Sequence, residues 1–90
     1  GGVAPVEMKR LPAVGSRVRV LWQDIVGYIN QPLKEVKIAD VWTEGKLVKA
    51  DKEFLVIATS QYIDDLPPDE TLGDYTAIPR GAVKSVKSRR

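Results

Sequence analysis

The stretch that most restricts the fold is residues 36–50, VKIADVWTEGKLVKA. Val36 and Ile38 begin an alternation of apolar and polar residues, the two-residue period of a half-buried strand. The alternation changes phase around residues 39–42, and Gly45 follows. A phase shift beside a strand glycine is what a sharply bent strand with a bulge requires, because a residue without Cβ lets the backbone coil tightly. Bends of that kind are how a small sheet closes on itself.

The other segments fit such a sheet. Residues 17–22, RVRVLW, place Val18, Val20 and Trp22 on one face, as a half-buried strand does. Residues 53–59, EFLVIAT, are nearly continuous in apolar and β-branched residues, which predicts a central strand covered on both faces. YTAI and AVKSVK then read as two short strands around a tight turn at Pro79, Arg80 and Gly81. Gly27 and Pro32 make 23–35 a loop, and Pro67, Pro68 and Gly73 make 60–74 a protruding one. With no strong helix, five short strands, one of them bent at Gly45, describe an all-β chain: a small antiparallel barrel or open sandwich. Residues 1–16 read as an arm or a short helix, 17–87 as the barrel with an acidic loop at 61–74, and 88–90 as a basic tail.

A chain of 90 residues buries only about three-fifths of the surface its unfolded form exposes. It has no Cys to staple it, so oligomerisation is one of the few remaining ways to gain buried area. The last two strands are too short to cover each other. Their edges must be blocked by charge, the monomer reading, or paired with an identical neighbour, which gives a ring if the rotation closes. No apolar run approaches the roughly 18 residues of a membrane span, and the first residues lack the pattern of a signal peptide. The expectation is a soluble, cytoplasmic protein, with no membrane partner.

Charge and residue types narrow the function. The chain has no His and no Cys, so general-base and thiol chemistry lack their usual carriers, and no enzyme is expected. Asp64, Asp65, Asp69 and Glu70 lack the spacing and central Gly of a calcium loop. No metal or other cofactor is expected. The net charge of +2 is unevenly spread: no basic residue lies between Glu53 and Arg80, and no acid from Arg80 onward. One cationic face could then meet an anionic partner. Single-stranded nucleic acid needs cations for phosphates and flat groups for bases, and Arg80 in its turn can serve as both. Lys46, Lys49 and Lys52 line the approach to the central strand, and Lys84 follows the turn. Trp22, Trp42 and Phe54 are expected in the core, since large aromatics supply most of a small core's buried area. Tyr62 and Tyr75 flank the acidic loop.

EGKLVKADKEFLVI resembles the first motif of the Sm and Sm-like (LSm) proteins, with Gly45, Leu47 and Asp51 at the motif positions. IPRGAVKSV is similar to the second motif, above all in its form in the bacterial member Hfq, through Arg80, Gly81, Ala82 and Val83. The resemblance spans residues 36–87. It implies a bent five-stranded barrel whose fourth strand pairs with the fifth of the next subunit in a closed ring that binds RNA. The implied interface uses Tyr75, Ala77 and Ile78 on one side and Val83, Ser85 and Val86 on the other. The implied nucleic-acid site takes Arg80, Lys84, Lys52, Lys49 and Phe54, for single-stranded RNA or DNA in processing or as a chaperone.

Two departures bear on base recognition. The family's stacking residue and base-reading Asn fall on Glu53 and Leu55, and the chain's only Asn is Asn30. A one-residue bulge would bring Phe54 into the stacking place, but nothing replaces the Asn. The alternative is an adaptor ring that binds protein, with the acidic loop as its contact.

Overall fold

In the computed structural model, which describes residues 11–24 and 27–89, the alternating segments form five strands. They are β1 (Arg17–Asp24), β2 (Ala39–Ala50), β3 (Phe54–Gln61), β4 (Gly73–Pro79) and β5 (Val83–Ser88). Short 3-10 turns lie at Leu33–Glu35, Pro68–Glu70 and Arg80–Ala82. Every pairing is antiparallel, and the strand order is β4-β3-β2-β1-β5. The expected helical turn near the N-terminus falls largely outside the described residues, and 11–16 hold none.

β4 and β5 stand at opposite ends of that order, yet only Arg80–Ala82 separates them. A flat five-stranded sheet would hold its edges roughly 19 Å apart, whereas a three-residue 3-10 turn advances only about 6 Å. The sheet is therefore curled. It is open, because β4 and β5 are not hydrogen-bonded to each other; of the two forms expected, barrel or open sandwich, closure into a barrel is not seen within the chain. Followed through the sheet they run in the same direction, and parallel neighbours need a crossover of about a dozen residues or more. Their short turn cannot zip them together.

One core fills the inside of the curl: Val18 and Val20 from β1, Leu47 from β2, Leu55 and Ile57 from β3, Ile78 from β4 and Val83 from β5. Leu11, Trp22, Ala50, Ala82 and Val86 pack against it. Trp22 keeps its indole satisfied by donating Nε1–H to Thr43 Oγ1 at 2.9 Å. β3 pairs on both edges; Leu55, Ile57 and Ala58 are buried and Phe54 and Val56 half-buried, while Thr59 and Ser60 near its end are exposed.

The bend sits in β2, later than the sequence suggests. Residues 39–46 pair with β1 in unbroken register, and the shift falls between Leu47 and Lys49. Val36 and Ile38 belong to the preceding loop and are exposed, so the phase change read at 39–42 was a strand boundary. Within β2 the inward row is Val41, Thr43, Gly45 and Leu47, which puts Trp42 on the outside, 41% exposed rather than in the core. Gly45 marks the tightest approach. A Cβ there would strike the Ala58 carbonyl oxygen and come within 2.8 Å of Ile57 Cγ2.

Side chains tie both long connections down. In the β1–β2 connection Tyr28 Oη donates to the Lys37 carbonyl at 2.9 Å and accepts the Lys37 N–H at 3.2 Å. The acidic β3–β4 connection is closed by Tyr62 N–H to Leu72 O at 2.8 Å and by Tyr75 Oη to Thr71 O at 2.7 Å. No helix among the described residues is long and apolar enough to cross a membrane.

Candidate nucleic-acid interface

The β2–β3 turn is built on Asp51. Its Oδ1 accepts the N–H groups of Glu53 at 2.8 Å and Phe54 at 2.9 Å, and its own N–H donates to Phe54 O at 3.1 Å. A carboxylate holding backbone donors in this way fixes a tight turn. The Phe54 and Glu53 N–H groups hold the Asp51 carboxyl below its ordinary value of 3.8, and the Lys49 and Arg80 charges add to the effect. A lowered folded-state value means that the stability is fully present above the unfolded value and drains as pH falls through the folded one. Asp51→Ala should therefore melt lower than the parent at neutral pH, and the gap should narrow below about pH 4. Thermal melts between pH 2 and 7 check this, and parallel curves for the two proteins contradict it.

The second turn docks on the first: Arg80 N–H donates to Glu53 O at 2.9 Å. Arg80 is half-buried, and its Nε is buried without a hydrogen-bond partner. Beside it Lys49 Nζ lies 5.0 Å from the centre of the Phe54 ring, a cation–π contact. Lys52 is exposed in the turn itself. Arg80, Lys49, Lys52 and Phe54 thus share one corner. Lys84 does not join them, because it pairs with Asp40 Oδ2 at 3.2 Å. Leu55, at the position of the family's base-reading Asn, is fully buried in the core.

The free edges can be read from hydrogen-bond phase. Arg80 N–H reaches β3, and pairing alternates along an antiparallel ladder. Thr76 and Ile78 therefore spend their backbone groups on β3, while Tyr75 and Ala77 direct theirs to the open side. On β5 the Arg89 N–H donates to Arg17 O at 2.8 Å, so by the same alternation Val86 and Ser88 face outward and Ser85 faces β1. Of the six residues implied for an interface, Tyr75, Ala77 and Val86 offer free backbone groups. The side chains of Ile78 and Val83 lie in the chain's own core.

A groove of about 750 Å3 runs between β2, β3 and the acidic loop, with Lys46, Lys49, Val56 and Tyr75 on one side and Leu66 and Asp69 on the other. Among the described residues no group of three or more carboxylates converges on a metal position. The sequence reading missed Trp42 as a surface group. Counting the alternation backward from Leu47 and letting Thr43 and Gly45 stand as inward residues would have found it. No family model, no curated protein and no solved structure matches the chain.

Proposed function

We propose that the chain is a non-enzymatic, Sm-like protein that assembles into a ring through β4 and β5 and binds single-stranded nucleic acid, RNA first. The observation that carries the binding is Arg80. Its backbone is anchored to Glu53, its buried Nε has no partner, and the turn it docks on carries Lys52, with the Lys49–Phe54 contact on the flanking strands. A guanidinium on a turn that adjoins a ring and two ammonium groups is suited to phosphates and stacked bases. Support for the ring comes from the two open edges, which cannot pair within the chain but can pair antiparallel between copies. Pairing of that kind would join the sheets of successive copies around a shared axis. It would gather the Arg80 corners at high effective concentration.

Base selectivity of the uridine-reading kind is not part of this reading, because Leu55 is in the core. Binding should instead depend on salt, each neutralised phosphate adding about 0.7 to the logarithmic slope. Arg80→Ala should weaken binding roughly ten-fold or more, since every subunit loses a contact, and should flatten the slope. Filter binding of mixed RNA and DNA oligonucleotides across salt tests this. An unchanged isotherm in Arg80→Ala contradicts the Arg80 site. Absence of binding at low salt favours the adaptor ring, whose contact would be the acidic loop with Tyr62, Ile63 and Leu72 exposed.

A further inference from the structure

The outer face of β5, β1 and β2 carries an arrangement that the Arg80 corner does not explain. Across the strands Arg17 stands directly opposite Lys46, and Arg19 directly opposite Lys87. Like charges at opposed positions destabilise a sheet, so this face is built at a cost to folding. Arg89 joins the same side, since its Nη1 lies 3.8 Å from Glu44 Oε1. Glu44 also takes Arg19 Nε at 3.3 Å, without a formed hydrogen bond. Neither Arg17 nor Lys46 forms an ion pair among the described residues.

Trp42 stands among these cations, opposite Leu21 on β1. The Arg19 guanidinium lies 3.9 Å from the centre of its ring, and Lys87 Nζ lies 5.9 Å away. Trp42 as a residue is 41% exposed. Cation–π contacts hold the indole in one orientation, which lowers the ordering cost of a ligand that stacks on it.

We infer that this face is a second binding surface for single-stranded nucleic acid, with Trp42 as the stacking platform and Arg17, Lys46 and Lys87 as phosphate contacts. Nucleic acid is favoured over other polyanions because the excess positive charge is centred on an exposed flat ring. An acidic peptide would use the cations without needing the flat ring, whereas successive bases stack on such a ring while their phosphates meet the cations. The surface needs neither Arg80 nor the ring assembly.

The test titrates the full chain with a mixed-sequence oligonucleotide and reads both tryptophan emission and affinity. Trp42→Phe supplies the Trp22 background. Emission from Trp42 should be quenched as the oligonucleotide binds. Trp42→Ala should lose roughly ten-fold in affinity, and Trp42→Phe should recover most of it. Arg17→Glu should weaken binding and reduce the salt slope by about 0.7. Because it puts a carboxylate opposite Lys46, its melting temperature should hold or rise, whereas a merely structural Arg17 would lower it. Unmoved Trp42 emission at saturation, or parental affinity in Trp42→Ala, overturns the inference. So does tighter binding to anionic phospholipid vesicles than to the oligonucleotide. Trp42 quenching that persists in Arg80→Ala at parental affinity keeps this face and sinks the Arg80 corner; the reverse pattern does the opposite.

Discussion

Gly45→Ala is expected to lower the melting temperature by roughly 12–24 °C, while Gly81→Ala leaves it level or slightly raised. The two glycines differ in what a methyl group would meet. At Gly45 the new Cβ would strike the Ala58 carbonyl oxygen, a backbone atom held in the β2–β3 ladder, and would crowd Ile57 Cγ2. Neither neighbour can step aside without undoing the curl. The cost therefore belongs at or above the upper end of ordinary overpacking, about 3 kcal/mol. In a domain of this size each kcal/mol moves the midpoint by about 4–8 °C. At Gly81 nothing lies within 4 Å of the added atom, and the gain comes from restricting the unfolded chain. Equal midpoints for the two variants would mean that the close approach at Gly45 does not hold the sheet in its curl.

If copies pair in the proposed ring, Ala77→Pro is expected to give single chains of 10.0 kDa that remain folded. By hydrogen-bond phase the Ala77 N–H points away from β3, so proline there removes a donor only from the open edge. Edge strands tolerate proline at such positions. Its neighbour supplies the control: by the same phase the Thr76 N–H bonds to β3, and Thr76→Pro removes that ladder bond and should destabilise the fold. Sedimentation and far-ultraviolet circular dichroism separate the two. If Ala77→Pro keeps the parental mass, the contact between copies does not run through this edge.

The strands were legible wherever inward residues were plainly apolar. Val18 and Val20, Leu55 and Ile57, and Ile78 all declared their strands, because core burial demands large side chains at a two-residue period. β2 was harder to read. Its inward row includes Thr43 and Gly45, one held by the Trp22 indole and one emptied to admit β3, and neither reads as apolar. The intervening Trp42 supplied a false apolar signal on the outer face. Lys49, Lys52 and Phe54 could be read as neighbours because they sit on or beside one turn, and Arg80 meets that turn through its N–H bond to Glu53 O. The Lys84–Asp40 pair joins positions 44 residues apart and depends on register that no local pattern encodes. The opposed cations of β1, β2 and β5 were hidden for the same reason, and so was the Tyr28 hold on Lys37.

Openness of the sheet followed from topology rather than composition. A three-residue turn between two strands of the same direction brings them near without letting them bond, and that leaves both edges for a neighbour. Native mass spectrometry at micromolar concentration, with and without a mixed oligonucleotide, measures this most directly. A ring gives one closed multiple of the 10.0 kDa chain that gains the mass of an oligonucleotide as an intact assembly. A single chain under both conditions would contradict it.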